Sequence, residues 1–366
     1  MPPSLPPAAK PMPPVKTLRN PQALAQAGLV EIAQLPALER VAAQYAVAIT
    51  PAMVALIETP GDPIARQFIP SDAELKTLPI EDADPIGDDV MSPVEGIVHR
   101  YPDRVLLKLT HVCAVYCRFC FRREMVGPGG LQALSPAVLD DAVAYIADRP
   151  EIWEVIVTGG DPFVLSPRRL GQLMDRLAKI EHVKVVRFHT RVPVVDPAAV
   201  TDDLVAALRC KGKAIYVALH ANHARELTAE ARAACARLVD AGIPMLGQTV
   251  LLRGVNDDPD SLAALMRGLV ETRIKPYYLH QGDLAPGTSH LRTSLAEGQA
   301  LMRDIRGRFS GLCQPTYVLD IPGGHGKVPV GPTYLGSDAD GGVVVEDPWG
   351  LPHPYPAPCG GCPIPR

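Results

Sequence analysis

Between residues 104 and 320 the chain alternates short apolar runs with longer amphipathic stretches, and this alternation narrows the folds open to it. The apolar runs fall at 105–109, 154–158, 183–189, 214–219, 244–250, 276–279 and 316–319. Between them lie helical patterns: Ser135-Pro136 to Ile146, Ser166-Pro167 to Ile180, Ala198 to Cys210, Thr228 to Ala241, Asp258 to Glu271 and Ser294 to Arg308. Apolar runs with β-branched residues, alternating with helices, are the signature of parallel βα units. About six units predict an α/β chain built as an open or closed barrel, with its functional groups at the C-terminal strand ends.

The first predicted strand runs directly into a loop with three cysteines, Cys113, Cys117 and Cys120, in CxxxCxxC spacing. Such a loop can close three thiolates around one inorganic centre. A cubane of four irons normally takes four cysteines, so three ligands leave one iron open to a small molecule. Zinc is the alternative, although a structural zinc site is closed and four-coordinate. Cys210, Cys235 and Cys313 read as small buried hydrophobes.

Further candidates stand at other predicted strand ends. In Thr158-Gly159-Gly160-Asp161-Pro162, two glycines let the backbone approach a ligand closely, or make a tight βα turn. Asp320-Ile-Pro-Gly323-Gly-His-Gly326-Lys327 is not a P-loop, because GxxxxGK[ST] is not met. Its lysine either forms a Schiff base with pyridoxal phosphate (PLP) or is a surface lysine on a turn. Arg100, Tyr101 and Arg104 crowd before the first of these strands, and Arg122 and Arg123 follow the cysteines. Arginines there can hold a phosphate or carboxylate, or lie solvated at a helix start. Asp283 and Asp320 can hold an ammonium, bind metal or cap helices.

Composition excludes several classes. A net charge of −4 without a long basic run gives no footprint for nucleic acid. No 18-residue apolar segment suits a membrane span, and the N-terminus lacks an apolar export core. Three cysteines crowded into one loop indicate a reducing compartment, and we expect a cytoplasmic protein. The 39 prolines concentrate at both ends. Residues 2–14 (PPSLPPAAKPMPP) cannot propagate a helix or a ladder, so 1–19 is expected to be a disordered arm. Residues 20–95 read as a helical cap without chemistry: Asn20-Pro21 and Thr50-Pro51 are capping pairs, and Ser71 to Glu74 a capping box. Residues 96–330 form the core and 331–366 a loop-rich tail.

An aromatic before the last cysteine completes the signature of radical S-adenosylmethionine (radical SAM) enzymes. HRYPDR, TGGDP, HTRVPVV, QTVLLRGVND, KPYYLHQGD and DIPGGHGK, in this order from His99 onward, resemble the lysine 2,3-aminomutase family specifically. The resemblance implies a partial (βα)6 barrel with an N-terminal helical extension. It implies a [4Fe-4S] cluster on Cys113, Cys117 and Cys120, with S-adenosylmethionine on the open iron near Phe119, Gly159, Gly160, Asp161 and Gln248. Lys327 then matches the PLP lysine, Arg100 and Arg104 its phosphate site, and Tyr101 its ring. Arg122 matches the carboxylate ligand of the substrate, and Asp283 and Asp320 the holders of the distal ammonium of L-lysine. The implied reaction moves the α-amino group of lysine to the β-carbon. A flavodoxin- or ferredoxin-type reductant and a homo-oligomer are implied partners.

Departures from the family shape these expectations. Asp258 stands where longer members place a zinc-binding cysteine, and the tail offers only Cys359 and Cys362, which makes zinc doubtful. His280 stands where the family tends to have an aromatic beside PLP. Competing readings are a relative supplying β-lysine for elongation factor P modification, and a non-catalytic iron–sulfur or zinc module. An ordinary PLP aminotransferase would have no use for CxxxCxxC.

Overall fold

A computed structural model describes residues 16–127, 133–339 and 341–356. All seven apolar runs are strands within one nine-stranded sheet, which follows chain order. The strands are β1 (Ile97–Tyr101), β2 (Arg104–Thr110), β3 (Glu154–Gly159), β4 (Val185–Thr190) and β5 (Ala214–His220). They continue as β6 (Met245–Val250), β7 (Ile274–His280), β8 (Thr316–Asp320) and β9 (Lys327–Pro329). From β2 to β8 every pairing is parallel, and β1 and β9 add antiparallel edges. The central strands are covered on both faces, β3 being buried from Glu154 through Thr158, which is why they read as unbroken apolar runs.

The crossover helices are Pro136–Ala147, Pro167–Ala178, Asp202–Ala207, Ala229–Asp240, Pro259–Glu271 and Leu295–Arg308. Each begins after a Ser, Thr or Asp (Ser135, Ser166, Thr201, Thr228, Asp258, Ser294) whose side chain accepts from a first-turn N–H. Such a cap contributes about 1 kcal/mol. Asp258, expected from the resemblance to replace a zinc-binding cysteine, has this role. Buried Leu170, Leu173, Met174 and Leu177 show the spacing that lays a helix on a sheet. The helix expected over 198–210 is shorter, because Pro197–Ala199 forms a 3₁₀ turn and Thr201 restarts the helix at Asp202.

The sheet curls until its ends meet. The Lys327 backbone N–H on β9 donates to the Tyr101 hydroxyl on β1 at 2.7 Å, across the full width of the sheet. Near this contact, Gly87 (φ +69°) packs against the turn between β8 and β9. A Cβ there would lie 2.5 Å from the Gly324 nitrogen, so only glycine fits.

The N-terminal region supplies the short helices Pro21–Gln26, Leu35–Gln44, Pro51–Leu56 and Ala65–Phe68, and all three expected capping motifs form. Leu18 bridges Ile49, and residues 1–15 lie outside the described ones. This region is more than a cover, contrary to expectation. Its fully buried Glu74 pairs with Arg118 and Arg123 beside the cysteine loop. Burial alone would raise Glu74, but the two guanidinium groups hold it below the ordinary carboxylate range. The tail also differs from a loop-rich reading. It forms an antiparallel sheet of β10 (Leu335–Ser337), β11 (Val343–Glu346) and β12 (Pro352–Tyr355). The β-branched run Val343-Val344-Val345 favours a strand, and Asp338 steadies the preceding turn by accepting from the Gly342 N–H at 2.6 Å. Cys359 and Cys362 lie outside the described residues.

Removing the Glu74 carboxylate would leave two buried guanidinium groups without their counter-charge. Glu74→Ala is therefore expected to cost about 3–5 kcal/mol in urea unfolding. A loss below about 1 kcal/mol would show that solvent reaches the pair.

Candidate active site

The cysteine loop is fastened along its backbone. Gly160 N–H donates to Thr110 O at 2.5 Å and Asp161 N–H to Val112 O at 2.9 Å. Arg118 N–H donates to Gln67 O at 2.9 Å. The two glycines of TGGDP are required here: a Cβ would lie 2.4 Å from Thr110 O at Gly159 and 2.3 Å from Val112 O at Gly160. What the glycines approach is thus the cysteine loop itself. Asp161 accepts from Phe163 N–H, from the Thr190 hydroxyl at 2.7 Å and from Arg191 N–H at 2.7 Å, tying β3 to β4.

Cys113, Cys117 and Cys120 are free thiols that feel one another's charge. Burial raises all three, Cys120 to about 11, and neighbouring thiolates add to the rise for Cys113 and Cys120. As free thiolates they are therefore disfavoured, a cost that coordination to a cation removes. Among the described residues, no three His, Cys, Asp or Glu side chains are grouped tightly enough to hold one metal ion. A cluster that gives each thiolate its own iron suits this donor set.

Arg191, in HTRVPVV, was not singled out from the sequence. Its guanidinium donates to Cys117 Sγ at 3.0 Å, to Glu226 at 2.7 Å and to Gln67 at 2.5 Å. Burial pulls its pKa down, but Cys117 and Glu226 more than offset this and keep it cationic. The available signal was a lone arginine opening an apolar run.

On the far side of the curled sheet, β8 and β9 pair Asp320 with Lys327 directly opposite. Lys327 Nζ forms an ion pair with Asp320 and stands 3.2 Å from His280 Nδ1 and 5.6 Å from the Tyr278 ring centroid. Arg104 stacks on Tyr101 at 3.8 Å and pairs with Asp103 at 2.7 Å. Burial would raise Asp320, but His280 and Lys327 bring it down to about 2. Asp283 moves the opposite way, to about 7, through burial and then the Asp320 charge.

Arg100 and Arg122 converge on a carboxylate that sequence reasoning missed. Asp88 accepts from Arg122 at 2.8 Å and Arg100 at 3.2 Å, and Arg100 also donates to Ile86 O at 2.6 Å. Asp88 lies in an acidic stretch within the region read from sequence as a helical cap without chemistry. Arg122 links the two halves of the site, since both Cys120 and Asp283 feel its charge. His189 feels Arg122, His220 and His280, and Gln248 bonds to His220, so these groups share one interior. Phe119 lies 5.4 Å from the Arg191 guanidinium. Arg123 is neither a ligand arm nor solvated. It is buried against Glu74, with its guanidinium 3.5 Å from the Tyr45 ring centroid.

A curled parallel sheet with a CxxxCxxC loop leaving its first parallel strand is the build of a radical SAM protein, and residues 107–266 match the Radical SAM superfamily. Residues 302–363 match a second family, Lysine-2,3-aminomutase. The L-lysine 2,3-aminomutase of Acetoanaerobium sticklandii is 42% identical over 313 residues, 85% of this chain and 75% of that protein. That of Clostridium subterminale is 40% identical, with the same coverage. The glutamate 2,3-aminomutase of Clostridioides difficile is 38% identical over 300 residues, 81% of this chain and 70% of that protein. The chain belongs to the lysine 2,3-aminomutase family. No helix among the described residues is long and apolar enough to cross a membrane.

Asp283 provides a test of the site's electrostatics. Its folded pKa of about 7 exceeds the unfolded value of ~3.9, so between these values the folded state binds more protons. Stability must then fall as pH rises through that window. Asp283→Asn keeps the shape without the charge. Thermal melts should find the ligand-free variant more stable than the parent at pH 8, by about 2–4 kcal/mol, with the gap closing near pH 4. An equal shift at both pH values would refute the assignment.

Proposed function

We propose that the chain is an L-lysine 2,3-aminomutase, converting L-lysine to β-lysine with a [4Fe-4S] cluster, S-adenosylmethionine and PLP. Cys113, Cys117 and Cys120 would hold the cluster. S-adenosylmethionine would occupy the space beside the cluster near Phe119, Gly159, Gly160 and Gln248, with Asp161 fixing the glycine segment. Lys327 would hold PLP, with Tyr101 beside the ring and Arg100 and Arg104 toward the phosphate. Together these groups supply a carbon-centred radical that abstracts hydrogen and a conjugated system across which nitrogen can migrate.

The protein's share is to bind, orient and keep dry. Arg122 offers a guanidinium for the α-carboxylate, preset by Asp88. Asp283 and Asp320 supply two carboxylates against the one ammonium of Lys327. Asp320 is already paired with Lys327, so Asp283, raised to about 7, is poised to ionise when a second cation arrives, and the distal ammonium of lysine fits that place. A glutamate side chain would instead meet like charge in a buried place. Buried walls around Arg122 and His189 limit the water that could quench a radical. The carboxylate pair is the observation that carries lysine over glutamate. Free cluster thiols and low-potential chemistry suit a cytoplasmic setting with a flavodoxin- or ferredoxin-type reductant, and we expect a homo-oligomer.

Anaerobically reconstituted protein with L-lysine, S-adenosylmethionine, PLP and a strong reductant should yield β-lysine by chromatography, and none of the corresponding product from glutamate. Asp283→Lys should lower lysine turnover by about 100-fold or more while PLP still binds, because a desolvated charge pair is worth about 2–5 kcal/mol. Equal loss of both would make Asp283 structural.

A further inference from the structure

Lys327 Nζ faces two groups, Asp320 on β8 and His280 on β7, whose Nδ1 lies 3.2 Å away. A lysine that is to attack a carbonyl carbon must first lose a proton, and something within hydrogen-bond reach must accept it. We propose that His280 is that acceptor, a catalytic residue that deprotonates Lys327 for PLP capture and returns the proton as water leaves. This rests on the PLP reading above and goes beyond it, because it assigns a chemical role to the residue by which the chain departs from its family.

The groups around His280 favour imidazole over carboxylate as the acceptor. Asp320 pairs with Lys327 and lies 3.7 Å from His280 Nδ1, and these neighbours hold it below the ordinary carboxylate range, so it anchors the ammonium and does not keep the proton. Burial, followed by the Lys327 charge, lowers His280 and keeps its ring neutral in the resting site. His220 on β5 and His189 on β4 also face this interior, both pulled below the ordinary imidazole range, so neither competes as a cation. On the same strand, Tyr278 meets the His280 ring edge-on at 5.6 Å. With Nδ1 accepting from Lys327, a neutral ring carries its own hydrogen on Nε2. That nitrogen is buried and has no hydrogen-bond partner among the described residues, so its N–H can serve a ligand atom.

The step balances. Nδ1 takes a proton from the lysine ammonium, and the freed lone pair forms a bond to the aldehyde carbon of PLP. A second nitrogen-bound proton moves to the former carbonyl oxygen, and His280 returns its proton there, so the oxygen departs as water. The C–O bond breaks as the C=N bond forms, with no net change at the imidazole and no redox partner.

Stopped-flow absorbance of the imine, following addition of PLP to the cofactor-free full chain across a range of pH, reads this step without turnover. Wild type should capture PLP, and Lys327→Ala should show no band. His280→Ala and His280→Gln should each capture PLP about 100-fold more slowly near neutral pH, with the deficit shrinking as pH rises. Added imidazole should restore most of the rate in His280→Ala. Wild-type rates and pH profiles in both variants would overturn the inference and leave the PLP reading intact. So would slow capture that neither imidazole nor rising pH relieves, which would make His280 a packing residue. Absence of any imine in wild type would overturn both readings.

Discussion

The hydrogen bond from the Lys327 backbone to the Tyr101 hydroxyl is small, but the rest of the site depends on what it reports. A parallel sheet accumulates twist from strand to strand, and here enough has accumulated to bring the ninth strand against the first. Without that curl, the cysteine loop after β2 and the lysine on β9 would lie at opposite ends of a flat sheet. With it, a continuous electrostatic path runs from Cys120 through Arg122 and Asp283 to Lys327. Gly326 makes the same point sterically, since a Cβ there would lie 3.2 Å from the Tyr101 hydroxyl.

An interior lined with charge must satisfy it, and the N-terminal region provides much of the counter-charge. Glu74 holds Arg118 and Arg123 and Asp88 holds Arg100 and Arg122, while the Gln67 amide accepts a hydrogen bond from Arg191, whose counter-charge is Glu226. A buried cation with its partner removed costs several kcal/mol, so these pairings make the helical cap part of the active site's structure. The two sets differ in purpose. Glu74 locks the cysteine loop through Arg118 and the chain just beyond it through Arg123, whereas Asp88 leaves Arg122 one edge directed at Thr158.

The fold was legible because its determinants are local. Seven apolar runs became seven parallel strands, and the capping residues Ser135, Ser166, Thr228, Asp258 and Ser294 set helix starts where the sequence placed them. The three-stranded tail was hidden because short exposed strands bury little and carry weak periodicity. Lys327, Asp320 and Asp283 could be named in advance because each follows a predicted strand end. Asp88, Glu74 and Arg191 could not, since their partners lie 34, 44 and 35 residues away and no pattern links them. The cation-holding role of such carboxylates is a tertiary property.

This contrast separates residues that build the site from those that can react in it. Glu74 is saturated by two guanidinium groups and lies below the carboxylate range. Asp283 has been taken out of water beside another carboxylate and lies far above that range. His280 keeps a buried nitrogen without a partner. Evolution has little reason to leave stability unclaimed in this way unless a ligand completes the arrangement. On the function proposed above, the unfinished electrostatics of Asp283 and His280, more than the three cysteines that define the class, are what would suit this site to a cationic amino acid. A cluster alone can initiate chemistry on many substrates, whereas a buried carboxyl that gains its charge when a cation arrives, the role proposed for Asp283, would favour a basic amino acid over an acidic one.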